Sequence, residues 1–330
     1  MGEVLEGLKP FFGSAAEPLI LTGSGTGAQE AAVVNTMSPG DTVLSVTAGV
    51  FGDRFAAIAE AFGATVVRLQ GEWGKPIDPE AVRLALSENP DVKTVLLTHN
   101  ETSTGVTNDV QALVRAIRDI TPDAVVLVDG VSSIGAVPFA FDAWEVDVAI
   151  TGSQKAWMSP PGLAMVAVSP RGWEAYARAT MPRFYWDFGK ARKNGDKRTT
   201  PFTPAVGVLH AMQEALRLML AETPQGVFER HRQIGEQVRA GVASLGLDLF
   251  ADVAAASNTV TAVRAPAGLD ASALIKVLRA RSIVVGSGQD WLKGSIFRIG
   301  HMGWVHAEDI DDVINGLRAA LDETRLEVAV

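Results

Sequence analysis

Asp147-Val-Ala-Ile-Thr-Gly-Ser-Gln-Lys155-Ala-Trp-Met-Ser-Pro-Pro-Gly162 is the stretch from which the chain is read. A short apolar strand, Val148 to Ile150, runs into a small polar loop that ends on one lysine. Pro160-Pro161-Gly162 stops any long helix from following. A lysine so placed can have its charge suppressed by burial, and a neutral amine is a carbonyl nucleophile. By itself, the same lysine is more simply a solvated side chain beside a turn.

The surroundings change that balance. Pro18–Thr22, Thr42–Val46, Thr65–Leu69, Val92–Thr98, Ala124–Val128, Val148–Ile150 and Leu163–Val168 all read as short strands, largely apolar. Helical patterns alternate with them. One passes through Ala31, Val34 and Met37, and one ends at Phe62 with Asp53 as its cap. Another opens at Asp78-Pro79, and a fourth runs from Val110 to Ile120. Residues 3–12 read as the tail of a helix broken at Pro10. Apolar strands alternating with helices imply a mainly parallel seven-stranded sheet, covered on both faces, with ligands bound outside the carboxyl ends of its strands. Ser24-Gly25-Thr26, Thr102, Asp129 and Lys155 all fall at those ends.

From about Met181 the texture changes. Lys190 to Arg198 is basic and expected to be exposed, and a long helix spans roughly Pro204 to Ala221. The remainder reads as a smaller α+β unit. Its helices lie near Val227–Leu245, Ala271–Arg281 and from about Ala307, and its strands near Asn258–Val263, Ile283–Val285 and Ser295–Ile299. The expected division is residues 1–224 as a large α/β domain and 225–330 as a small C-terminal domain.

Composition narrows the chemistry. The 330 residues are 47% hydrophobic and 20% charged, enough for a sizeable core. A formal net charge of −9 argues against a nucleic-acid partner. No cysteine is present, which excludes disulfides, thiolate metal sites and cysteine nucleophiles. No apolar run reaches the roughly 18 residues of a membrane span, and the start lacks a secretory pattern. A soluble cytoplasmic protein with no membrane partner is expected.

Several clusters carry two readings each. Gly23-Ser-Gly-Thr-Gly27 between a strand and a helix suits a phosphate, or is only a tight turn. A dinucleotide fingerprint would place its third glycine at Ala28, an allowed variant that keeps an NAD reading alive. Asp129 can pair with a cationic ligand group or accept a buried hydrogen bond. Phe51 can be a stacking platform or core. Arg298, inside the strand Ile296-Phe-Arg-Ile299, can bind a substrate carboxylate or form a structural ion pair. His99 has no second ligand at metal spacing and reads as structural; no metal site is expected.

Taken together, these stretches resemble the class V aminotransferases, in particular the alanine–glyoxylate/serine–pyruvate group. The resemblance rests on Thr22-Gly-Ser-Gly-Thr-Gly27, Gly49-Val-Phe-Gly-Asp-Arg54, Thr98-His-Asn-Glu-Thr-Ser-Thr-Gly105 and Val128-Asp-Gly-Val-Ser-Ser133. It continues through Gly152-Ser-Gln-Lys155, Pro160-Pro-Gly162 and Phe297-Arg-Ile-Gly300, in order. It implies a fold-type I enzyme that uses pyridoxal 5′-phosphate (PLP). Lys155 is then the Schiff-base lysine, and Asp129 the partner of the protonated ring nitrogen. Val131 packs on one ring face and Phe51 stacks on the other. Ser24, Gly25, Thr26 and Gln154 hold the phosphate, and Thr102 lies near the ring hydroxyl. Thr200 and Thr203 reach the neighbouring subunit's phosphate in a homodimer, and Arg298 binds the substrate α-carboxylate. The implied reaction moves an amino group from alanine or serine to glyoxylate or pyruvate.

The rival readings are another fold-type I PLP enzyme or a truncated PLP-binding protein with weak activity. Cysteine desulfurase chemistry needs a cysteine that is missing. The resemblance also implies one further helix and a proline-containing arm ahead of Met1. A shortened chain is therefore expected, with Val4, Leu5 and Leu8 poorly anchored and turnover poor.

Overall fold

The computed structural model describes residues 1–328, with side chains to Thr324. Seven strands form the central sheet: β1 (Leu19–Gly23), β2 (Thr42–Thr47), β3 (Thr65–Gln70), β4 (Val92–Thr98), β7 (Val125–Asp129), β8 (Val148–Gly152) and β9 (Gly162–Val168). A two-stranded ribbon, β5 (Asn100–Glu101) with β6 (Val106–Thr107), follows β4. The sheet order is β1-β9-β8-β7-β4-β2-β3. Only β9 runs against the rest, pairing antiparallel with both β1 and β8. The expected mainly parallel seven-stranded sheet is the one observed.

The apolar strands follow from cover on both faces. Along β4, Val95 and Leu97 join one core while Leu96 joins the other; along β7, Val126 and Val128 oppose Val125 and Leu127. The first core is closed by α1 (Gly2–Phe12), α4 (Pro79–Glu88), α5 (Val110–Ile120) and α8 (Val206–Glu222). The second is closed by α2 (Gly25–Thr36), α3 (Val50–Ala61), α6 (Pro170–Arg178) and α7 (Phe188–Gly195). The edge strand β3 departs from the expected apolar pattern. Thr65, Arg68 and Gln70 are exposed, as an edge with one neighbour allows.

α9 (Pro224–Ser244) leaves the first core at Val227 and enters a third at Ile234. There it packs with α10 (Ala271–Ala280) and α11 (Ala307–Val328) on an antiparallel sheet ordered β10-β12-β11. Those strands are β10 (Val260–Arg264), β11 (Gly286–Ser287) and β12 (Ile296–Gly300).

Several expectations need correction. α1 is not broken at Pro10: it continues to Phe12 and ends at Gly13. The ring deprives the Glu6 carbonyl of its N–H partner, but Glu6 is exposed and water can serve it. Val4, Leu5 and Leu8 are firmly anchored, at 1%, 2% and 0% exposure. The small Gly7 lets α1 lie against Leu216 of α8, and Phe11 meets Trp157 edge-on at 5.4 Å. Tertiary packing, not helix capping, holds this segment. α3 is capped at Gly49; Asp53 sits in its first turn and faces Arg68 at 3.6 Å. The strand expected at Ile283–Val285 starts three residues later, at Gly286–Ser287. The basic run 190–198 is largely exposed as expected, at Arg192, Lys193, Lys197 and Arg198, although it forms part of α7, which buries Ala191.

Candidate active site

The strand ends gather the polar residues. Ser24 caps α2, its Oγ accepting from the Gly27 N–H at 3.3 Å. The other first-turn N–H groups of α2 have no partner within the helix, so this end presents donors. The turn after β7 folds down on Gly25. A Cβ there would lie 2.8 Å from Val131 Cγ2, so only glycine lets the two loops meet. The turn after β8 closes from the other side, with Gly152 against the Gly25 backbone. Three loops, carrying Ser24–Thr26, Asp129–Val131 and Gly152–Lys155, thus share one cleft.

Asp129 closes β7 and is 5% exposed. Its Oδ2 accepts from Gln29 Nε2 at 2.7 Å and its Oδ1 from the Val131 N–H at 2.9 Å. Burial pushes this carboxyl up to about 6, and the charge of Glu101 adds to the rise; the two hydrogen bonds oppose it. Such a group is fixed in place, and a nearby cation would favour its ionised form.

Lys155 is half-buried, and burial pushes its ammonium down, with the charges of Arg298 and Arg54 acting the same way. Asp129 pulls in the opposite direction, which places the two in one electrostatic field. Arg298 comes from β12. Its Nε donates to the Ser287 carbonyl at 2.9 Å and its Nη1 to the Thr102 carbonyl at 3.1 Å. Neither partner is a carboxylate, so the structure does not bear out a structural ion pair. Nη2 makes no hydrogen bond within the described residues, so the guanidinium keeps donor capacity for a ligand.

Thr102 is buried, its hydroxyl donating to Ser132 Oγ at 2.8 Å. Ser132 in turn donates to the Asn100 carbonyl. Phe51 opens α3, with the Arg54 guanidinium 4.7 Å from its ring centroid and Arg54 Nη1 donating to Thr26 Oγ1 at 3.3 Å. Gln154 is exposed on the turn before Lys155. Thr200 does not hydrogen-bond to any of these cleft residues. The Thr200 hydroxyl donates to the Phe202 carbonyl at 2.6 Å, in a groove lined by Leu21, Thr22, Tyr185 and Trp186, and Thr203 is exposed nearby. His99 is structural. It packs against Phe139 and Trp144, at 5.4 and 5.9 Å, and burial holds it neutral with a pKa lowered to about 4.

The family model for aminotransferase class-V matches residues 1–313. The chain belongs to the class-V aminotransferase family. Among relatives of this aminotransferase, the protein of Synechococcus sp. named soluble hydrogenase, small subunit, is 43% identical over 327 residues. The match covers 98% of this chain and 84% of that protein. A serine–glyoxylate aminotransferase of Methylorubrum extorquens is 36% identical over 335 residues, covering 98% and 83%. The solved alanine–glyoxylate aminotransferase of Nostoc sp. superposes with a TM-score of 0.92 at 31% identity, covering 97% of this chain and 86% of its own. The fold-type I architecture and an aminotransferase activity follow from that membership.

Sequence reasoning passed over two residues that shape this candidate site. Gln29 faces the sheet from the second turn of α2 and fixes Asp129, a role visible only once α2 is docked. Glu101 lies within a quoted motif, yet two of its carboxylate's partners, the Phe51 and Gly52 N–H groups, come from a segment about fifty residues earlier. Among the described residues no cluster of three metal-ligating side chains occurs, and no helix is long and apolar enough to cross a membrane.

Proposed function

We propose that this enzyme is a PLP-dependent transaminase moving an amino group from alanine or serine to glyoxylate or pyruvate, with Lys155 as its Schiff-base lysine. The observation that carries this reading is the pairing of a buried, doubly hydrogen-bonded Asp129 with a charge-depressed Lys155 in one cleft. The residues present fit PLP. Asp129 offers a buried acid for the ring nitrogen, Val131 and Phe51 offer two apolar surfaces, and Ser24, Gly25, Thr26 and Gln154 offer donors for the phosphate. Thr102 offers a hydroxyl beside the ring.

When bound, PLP supplies an electron sink for the pair left by loss of the substrate α-proton. Asp129 keeps a proton on the ring nitrogen by pairing with it as a carboxylate. Lys155 Nζ, lowered in basicity by burial, would take the proton from the donor Cα as a base and, as an acid, deliver it to the cofactor carbon, worth about 10²–10⁴-fold. Arg298, held by two backbone carbonyls, points its remaining N–H groups at the α-carboxylate and so orients the Cα–H bond.

The same reading takes residues 1–224 as the PLP-binding domain and 225–330 as the small domain carrying Arg298. It takes the working form as a homodimer in which Thr200 and Thr203 serve the neighbouring site. Cytoplasmic placement belongs to the same reading. The hydrogenase-subunit name belongs to the Synechococcus relative; without cysteine this chain holds no thiolate-ligated cluster of its own.

Borohydride reduction of the PLP-loaded protein followed by peptide mapping tests the reading, with the pyridoxyl group expected on Lys155. A panel of amino donors against glyoxylate, pyruvate and 2-oxoglutarate then sets the substrates. A label elsewhere, or no turnover with any pair, refutes it.

A further inference from the structure

Glu101 is 1% exposed, yet it carries a carboxylate. All its partners are donors. Oε2 accepts from the Phe51 N–H and the Gly52 N–H, both at 3.1 Å. Oε1 accepts from the Ser103 N–H at 3.1 Å and from the Ser103 hydroxyl at 2.6 Å. Ser103 Oγ also accepts from the Val50 N–H at 3.1 Å, so three successive N–H groups at the start of α3 are tied to this turn. The N-cap of α3, Gly49, has no side chain with which to serve them. It cannot have one: a Cβ there would lie 2.4 Å from Glu101 Cγ. A helix normally capped by its own N-cap residue is instead held by a carboxylate from the far side of β4.

The same turn holds other parts of the site. The Thr102 carbonyl, one residue on, accepts from Arg298 Nη1. The negative charge of Glu101 also acts on both Asp129 and Arg298. We infer that Glu101 is a positioning residue of this site: its buried carboxylate locks the start of α3, and so the Phe51 ring, to the turn that holds Arg298. The inference rests on the PLP reading above, in which Phe51 stacks on the cofactor ring. Glu101 touches neither cofactor nor substrate in this scheme. It sets the distance between the residue that faces the ring and the residue that grips the substrate carboxylate, across two domains.

The test is Glu101→Gln, which keeps the shape but turns a donor toward donors. The purified protein is titrated with PLP, followed by absorbance and by induced circular dichroism in the cofactor band, and then assayed with amino donors. The dissociation constant for PLP should rise about tenfold, the loss expected when a charged acceptor is withdrawn from buried N–H groups. At saturation the induced dichroism should fall relative to absorbance, because the ring loses its fixed tilt, and KM for amino donors should rise. Should that variant fail to fold, Glu101→Asp keeps the charge near Arg298 and withdraws the oxygens from α3 by one methylene. It should lose the induced dichroism while keeping close to the wild-type KM. Wild-type PLP affinity and dichroism in either folded variant overturn the inference, leaving Glu101 as a helix cap alone. Wild-type protein that takes up no PLP overturns the functional reading itself, and this inference with it.

Discussion

Replacing Asp129 by asparagine should make the cofactor-free protein more stable and the enzyme far less active. The Asp129 carboxyl is raised from an ordinary 3.8 to about 6, mainly by burial. A carboxyl whose folded pKa lies above its unfolded one contributes stability fully present below the unfolded value, and that stability is lost as pH rises through the folded value. Here the window runs from about pH 4 to about pH 6. Above it, the buried ionised group costs the cofactor-free protein about 3 kcal/mol, from roughly two pH units at 1.36 kcal/mol each.

Asp129→Asn removes that cost and keeps the geometry. The new oxygen still accepts from the Val131 N–H. The new amide faces Gln29, whose Oε1 has no partner among the described residues, so a half-turn of that amide restores the bond. Equilibrium unfolding in urea should show the cofactor-free variant more stable at pH 7.5, by up to about 3 kcal/mol, with the gap closing at pH 4. Activity should move the other way. Losing a buried carboxylate that pairs with a cation costs about 3–5 kcal/mol, or roughly 10²–10⁴ in rate. A variant less stable than wild type at pH 7.5, or a gap that does not change with pH, would refute the reasoning about burial. Wild-type turnover would remove Asp129 from the chemistry.

Lys155, pushed down by burial, should react with an acylating reagent at a lower pH than the surface lysines; competitive labelling with mass spectrometry checks this in the cofactor-free protein. Arg298→Lys keeps the charge but loses the planar fork. Its KM should rise for every amino donor and oxo acid, with PLP binding intact, and steady-state kinetics across the substrate panel would show it. Leu8→Ala should cost about 2–5 kcal/mol because Leu8 is fully buried beneath α8, and chemical unfolding measures the loss. Mixing Lys155→Ala subunits with Thr200→Ala/Thr203→Ala subunits should restore part of the activity if sites are shared; a strictly monomeric active species by light scattering would sink that idea.

The sequence by itself determined the sheet and the chemistry at its edge. Strands apolar on both faces can only sit inside a covered parallel sheet, and Ser24, Asp129 and Lys155 each end or follow such a strand, so their convergence was legible from pattern alone. Local signals also sufficed where the chemistry is local, as with Asp78-Pro79 at the start of α4. Tertiary structure decided what depends on distant partners. Pro10 stays helical, and Val4 and Leu5 stay buried, because α8 packs on α1, two hundred residues away in the chain. The cap of α3 falls at Gly49 rather than Asp53, and Glu101 occupies the space that a side chain at Gly49 would need. Arg298 forms no ion pair among the described residues because the side chain meets two backbone carbonyls, from Ser287 and Thr102, which only the folded chain brings to it. Sequence spacing records which groups lie near each other along the chain. Which buried donor meets which acceptor is fixed only when the loops close on one another.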